Sequence, residues 1–284
     1  NAESEFVDLG DGLTVHLRDE GPKDAPALIL LHGSNASLHT WQQWVDRLGK
    51  DYRIIRYDQP GHGLTGPHPK DDYSAAGFVD VVDRVAKNRG LTKFYVGGNS
   101  MGGWVTHEYA KAHPEKLQGI ILVDAGGAPD SQPKSLPVGF RIARMPVLNQ
   151  LARIITPRSM VEKSLRQSVS NAAVVTPTEV DEYWELLRHP GNREATGKRF
   201  ALYSSRNTQT AVSDATLKVP ALILWGDEDK LIPVSSAKWF QSTYTGNVTH
   251  IYKGIGHMPM EESADKSAED VGNWLKVRTS TPTG

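Results

Sequence analysis

The chain contains no cysteine. That absence removes disulfide frameworks, thiolate zinc sites, iron-sulfur clusters and a thiolate nucleophile together, so covalent attack must come from oxygen or nitrogen. No stretch approaches the roughly 20 consecutive apolar residues that a membrane-spanning helix needs, and a soluble chain is expected. Neither sign of charge is in excess, because 32 Lys and Arg face 33 Asp and Glu for a formal net charge of -1. A global basic field for nucleic acid is therefore missing, and so is an acidic tail. No internal repeat or low-complexity tract occurs, and only residues 279–284 read as a frayed end. The first residue is Asn1 rather than methionine, so trimming of a tag, a disordered segment or a secretory signal is expected. Cytoplasmic and exported locations both stay open.

What is present is an alternation. Residues 6–9 and 13–18 flank Gly10-Asp11-Gly12 and read as a hairpin at the edge of a sheet. Short apolar runs follow at 27–31, 54–57, 94–97, 120–124, 221–225 and 248–252, each bounded by Gly, Pro or Asp. Continuous runs of this kind suit strands buried on both faces of a parallel sheet. Between them, residues 75–88 carry Phe78, Val81, Val82 and Val85 on one helical face, and residues 104–113 form a second helix before Pro114. The alternation predicts right-handed crossovers and an α/β fold with a mostly parallel central sheet covered by helices on both faces. It breaks from 130 to 212, where 160–169 and 179–188 read as helices and no strand is evident. A helical cap insertion at 130–212 therefore divides a core of 1–129 and 213–284. The insertion carries 12 Lys and Arg against 7 Asp and Glu, formally +5, and the remainder 20 against 26, formally -6.

Gly98-Asn99-Ser100-Met101-Gly102 is a G-x-S-x-G pattern, followed by Gly103. A sharp strand-to-helix turn needs very small neighbours, and it lifts the central hydroxyl above the sheet beside a helix N-terminus that favours negative charge. The strand before it and the helix after it supply that context. A serine hydroxyl is a poor nucleophile at neutral pH, so it needs a base and a group that orients the base.

With these residues in place the chain resembles the α/β-hydrolase superfamily along its whole length. The landmarks are His32-Gly33, Asp58-Gln59-Pro60-Gly61-His62-Gly63, the Ser100 turn, Gly226-Asp227-Glu228-Asp229 and Gly256-His257. The resemblance implies the chain order serine, acid, histidine, which leaves His250 and His257 as bases. His250 lies inside a strand run, and His257 in a glycine-flanked loop is the stronger candidate. By the same resemblance Asp229 is the acid, with Asp227 as competitor or turn-closing residue, and Glu262 a structural carboxylate. Two backbone N–H groups should face a developing oxyanion: Met101 directly after the nucleophile, and Ser34, which the family pattern selects. Trp41 and Trp44 share a helical face and read as core, and His62 reads as structural.

Serine rather than aspartate at the turn disfavours epoxide-opening and dehalogenating chemistry and leaves esters, thioesters, lactones and amides. The Gly98 to Gly103 stretch is also similar to that of meta-cleavage product hydrolases, which cut a carbon-carbon bond in ring-fission products. Ser34-Asn35-Ala36-Ser37 and Met258 depart from those enzymes' glycine-rich loop and tryptophan, so a carboxylesterase-like serine hydrolase leads and carbon-carbon hydrolysis is the alternative. A small-molecule receptor on the same fold is a third reading. Asn35, Asn99 and Met258 are candidate substrate contacts, as is Arg199, with Arg193 beside it as a clamp for an anionic substrate. Ser37 and Asn35 equally suit a capping role. No cofactor, metal, nucleic-acid partner or membrane span is expected. The expected partner is a small molecule, and self-association is left open.

Overall fold

A computed structural model describes residues 4–129, 137–143, 145, 154–205 and 217–279. Eight strands form one sheet in the order β1-β2-β4-β3-β5-β6-β7-β8. These are β1 (Ser4–Asp8), β2 (Thr14–Glu20), β3 (Ala27–Leu31), β4 (Arg53–Tyr57), β5 (Phe94–Asn99), β6 (Leu117–Val123), β7 (Ala221–Gly226) and β8 (Val248–Tyr252). β2 pairs antiparallel with both β1 and β4, and every other pairing is parallel. The opening hairpin turns through Gly10, Asp11 and Gly12, all at positive φ, a conformation in which glycine carries no Cβ penalty.

Alternate residues of each central strand feed opposite cores. Ile29, Leu31 and Val96 join one cluster with Phe78, Val81, Val82 and Val85 of α2 (Ala75–Asn88) and Val105 and Tyr109 of α3 (Met101–Ala112). α8 (Ser235–Thr243) adds Phe240 to that face. Leu28, Leu30 and Tyr95 face the other way, onto Trp44 and Leu48 of α1 (Gln42–Leu48) and Val271, Trp274 and Leu275 of α10 (Ala264–Thr279). Burial on both sides explains the unbroken apolar runs, since neither face of these strands meets water. Trp41 and Trp44 are fully buried with ring centroids 4.9 Å apart, and Trp44 Nε1 donates to Ser267 Oγ at 2.9 Å. Each is core, worth about 1.5–3 kcal/mol or more by apolar burial.

Between β6 and β7 the described residues form helices and no strand: α4 (Val138–Ala143), α5 (Arg158–Ser168), α6 (Pro177–Leu187) and α7 (Asn192–Ser205). The expected insertion borders at 130 and 212 lie outside the described residues. α6 opens on a reciprocal cap in which Glu179 N–H donates to Thr176 Oγ1 at 3.2 Å and Thr176 N–H to Glu179 Oε2 at 2.8 Å, with Pro177 at the first helical position. α7 has no one-sided apolar stripe, which is why periodicity alone did not disclose it. Asn192 Nδ2 donates to Gly63 O at 2.9 Å and Arg199 Nη1 to Gly61 O at 2.7 Å, tying α7 to the loop after β4.

Candidate active site

β5 ends at Asn99 and α3 begins at Met101, so Ser100 alone makes the turn, at φ 54° and ψ -115°. That conformation is costly for a residue with a Cβ and is held by tight packing around it. A Cβ on Gly98 would lie 2.2 Å from the Gly102 carbonyl, and one on Gly102 2.1 Å from Leu31 O. The glycines are thus required by close backbone approach. Ser100 N–H donates to Val123 O at 3.1 Å, and Ser100 O accepts from Gly126 N at 2.8 Å. Met101 is the first residue of α3, where a backbone N–H has no acceptor inside its own helix.

His257 lies in the loop after β8, 5% exposed. Its Nδ1 is 2.7 Å from Asp229 Oδ2. Asp229 Oδ1 accepts from Leu231 N at 2.7 Å and Ile232 N at 3.1 Å, so the carboxylate is pinned before it meets the ring. Asp227 is exposed instead and accepts Gly254 N–H at 2.7 Å, closing the turn between the β7 and β8 loops. His250 sits on β8 with its ring 3.8 Å from Asp270 and lines no part of the cleft described below. Asn99 Nδ2 donates to Val123 O at 3.2 Å and to His257 O at 3.0 Å, bridging the serine turn to the histidine loop.

Glu262, at the end of α9 (Pro259–Glu262), accepts Gly256 N–H at 3.1 Å on one oxygen and Ser170 and Asn171 N–H at 2.8 and 3.1 Å on the other. It therefore clamps the histidine loop to the end of α5. His257 N–H completes this clamp by donating to Ser168 O at 3.0 Å. His32 and His62 stack edge to face at 4.8 Å between ring centroids, fully enclosed, and burial keeps both below the ordinary histidine range. His32 Nε2 accepts Gln59 N–H at 2.9 Å, a structural tie between the β3 and β4 loops.

Ser100 and His257 open into one cleft with about 1090 Å³ of empty space, its mouth included. Gly33, Ser34, Asn35, Asn99 and Met258 form its floor, and Met160, Val161, Leu165, Leu187, Leu231 and Met260 give it a mostly apolar wall. Thr40, Tyr183 and Arg193 are its polar accents. Arg199 stays outside this lining. Its guanidinium is 1% exposed and donates to Gly61 O, Asn35 Oδ1 and Thr196 Oγ1 at 2.7, 2.9 and 3.0 Å, so it organises the cap base. Asn35 Oδ1 also accepts from Thr196 Oγ1 at 2.9 Å, which turns that amide toward the cap. Ser37 Oγ accepts His39 N–H at 3.3 Å as a cap.

One donor cluster was not visible in the sequence. Among the described residues, Asp124, Asp229 and His257 bring one oxygen or nitrogen each to within 4.8 Å of one another. They come from three different strand ends, so no sequence spacing announces them. By number and type such donors could hold a divalent ion, yet Asp229 is already bound to the imidazole. Also unforeseen was Glu261, whose Oε1 accepts from Thr40 Oγ1 at 2.6 Å and whose carboxyl is pushed up to about 8 by burial. Its sequence signal is an adjacent pair of glutamates directly after Met258-Pro259-Met260.

A serine on a strained corner beside a helix N-terminus, an imidazole oriented by a carboxylate and a shared apolar cleft are the parts of nucleophilic acyl transfer. Residues 26–264 match the family described as alpha/beta hydrolase fold, and the chain belongs to that family. Among curated relatives, it is 26% identical over 264 residues to monoacylglycerol lipase abhd6-B of Xenopus laevis, covering 92% of this chain and 78% of that one. It is 25% identical over 295 residues to a 2-hydroxy-6-oxononadienedioate/2-hydroxy-6-oxononatrienedioate hydrolase of Klebsiella pneumoniae, covering 96% of each. The solved meta-cleavage product hydrolase of Pseudomonas fluorescens superposes with a TM-score of 0.81 at 22% identity, over 97% of this chain and 99% of that one. Among the described residues no helix is long and apolar enough to cross a membrane.

Proposed function

We propose that the protein is a serine hydrolase acting on carboxylic esters with an apolar acyl or alcohol part. The observation that carries this reading is that Ser100 and His257 line one apolar-walled cleft, with Asp229 2.7 Å behind the imidazole. Ser100 Oγ attacks the carbonyl carbon while His257 takes its proton, and Asp229 holds the ring's tautomer and stabilises the imidazolium. The N–H groups of Met101 and Ser34 stabilise the oxyanion. Collapse expels the alcohol, which leaves with the proton from His257, and water then releases the acid by the same steps in reverse. The lipase named among the relatives acts on a related substrate class, and the apolar wall formed by α5 and α6 suits such a chain.

Arg193, on the cleft wall with Nη1 donating to Ile154 O at 2.7 Å, favours one second reading. It could meet the carboxylate of a ring-fission dienoate, the substrate type in the Klebsiella relative's name. Arg193 takes over from Arg199 as the candidate clamp, because Arg199 is committed to the cap base. Labelling with a fluorophosphonate, followed by rates on p-nitrophenyl butyrate beside a dienoate, tests both. Labelling lost in Ser100→Ala and a higher kcat/KM on the ester are expected. Equal labelling of the two proteins removes the nucleophile assignment, a strong preference for the dienoate reverses the ranking, and labelling without turnover of any ester favours a receptor.

A further inference from the structure

Asp124 follows the last residue of β6, and no step of the proposed hydrolysis uses it. Its side chain is fully buried and its backbone sits at φ 43°, a left-handed conformation that is strained for a residue with a Cβ. Asp124 Oδ1 accepts Gly226 N–H at 3.0 Å, whereas Oδ2 is buried with no N–H or hydroxyl donor among the described residues. An ionised oxygen in that position would bear the full cost of desolvation. One oxygen of the Asp124 carboxyl, one of the Asp229 carboxylate and a nitrogen of the His257 ring lie within 4.8 Å of one another.

Two carboxyls this close cannot both ionise without water, so the pair carries one proton. Donor counts decide which member holds it. Among the described residues, Asp229 receives two backbone N–H groups and the imidazole, and Asp124 receives only Gly226 N–H. We propose that Asp124 is a proton-bearing positioning residue, whose Oδ2–H donates to the Asp229 carboxylate and fixes it on His257 Nδ1. Burial first, and then the neighbouring Asp229 charge and the hydrogen bond to it, raise the Asp124 carboxyl well above the usual carboxylate range. Glu262, the other charged group facing the pair, acts in the same direction. The single negative charge is thereby spread over two carboxyls and anchored to two adjacent strand ends, since Asp124 N–H also bonds Leu224 O at 3.0 Å. No loop motion can then swing the acid off the base without breaking the β6–β7 junction.

This inference rests on the Ser100–His257–Asp229 reading, and the experiment separates the two. kcat, KM and pH profiles on p-nitrophenyl butyrate are measured for wild type, Asp124→Asn and Asp124→Leu, with fluorophosphonate labelling and thermal melting as checks of the fold. Asp124→Asn keeps a donor toward Asp229 and an acceptor for Gly226. Its kcat is expected within about threefold of wild type, and its acid limb within about 0.2 pH units. Asp124→Leu loses both groups, and a kcat about tenfold or more lower, KM within about twofold and an acid limb moved upward are expected, because the whole Asp229 charge then acts on the ring. A downward move of the acid limb in Asp124→Asn would mean an ionised Asp124 in the wild type and overturns the proposal. So does a folded Asp124→Leu with unchanged kcat, or activity that EDTA abolishes and zinc restores, which would make the three donors a metal site. If Asp124→Leu fails to fold, the Asp124→Asn profile decides alone. Activity that survives Ser100→Ala defeats the triad reading itself, whatever the Asp124 variants do.

Discussion

The two sides of the cleft are built on opposite terms. On the sheet side, Ser100, Asp124, Asp229 and His257 are held by backbone hydrogen bonds from β5, β6, β7 and the loop after β8, two of them at strained φ. On the cap side, Met160, Val161, Leu165 and Leu187 present apolar surface without a fixed polar partner. On the proposed reading, the difference teaches that chemistry and selectivity answer to separate parts of the molecule. The sheet fixes its polar groups by backbone hydrogen bonds, and the cap sets only shape and polarity, which tolerate change.

The largest expected effects come from the sheet side. Ser100→Ala and His257→Ala should each lower kcat on p-nitrophenyl butyrate by about 10⁴-fold or more while the melting curve stays close to wild type. Asp229→Asn, which keeps the shape and disturbs the imidazole tautomer, should cost about 10³–10⁴ in kcat with little change in KM. Smaller losses in any of these would break the division of labour, since the chemistry would then lie elsewhere. Glu262→Gln weakens the clamp between the histidine loop and α5, so a kcat about tenfold lower and a reduced Tm are expected together. A change in KM alone would make Glu262 a cap feature.

Leu165→Ala on the cap wall should leave kcat on the acetate ester within about threefold and move the preferred p-nitrophenyl ester toward longer acyl chains, by about tenfold in relative kcat/KM. An unchanged chain-length profile would place the acyl group elsewhere. The smallest effect concerns stability. Glu261 is protonated in the folded protein until about pH 8, whereas it ionises near the ordinary glutamate value when unfolded. Between those values the folded state binds more protons, so this residue makes stability fall as pH rises through that window. Glu261→Gln, which can still accept from Thr40, should raise Tm at pH 8 by about 2–4 °C and scarcely at pH 4. Equal shifts at both would remove burial as the cause.

Much of this arrangement was legible in the linear sequence. The run 27–31 coincides with β3 and 248–252 with β8, and residues 75–88 coincide with α2, because buried parallel strands and one-sided helices leave period and continuity in the residues themselves. The Ser100 turn was readable because close packing forbids a Cβ at Gly98 and Gly102, and such a constraint is local. α7 was not readable, since its residues face the core loops and the cap on several sides at once. The role of Arg199 was misleading for a related reason. A charged residue in a basic insertion suggests a ligand, yet three oxygens at the cap base claim its guanidinium.

By itself, the sequence determined the fold class and narrowed the candidate nucleophile, bases and acids to a short set, because each rests on local geometry or on chain order. Only the tertiary structure decided that Asp229 faces the ring while Asp227 closes a turn, and that Asp124 joins them. Those outcomes depend on which strands lie side by side: β6 and β7 are neighbours in the sheet although 97 residues separate the last residue of one from the first of the next. Hydrogen bonds between strand ends that meet only after folding carry no signature in either segment alone.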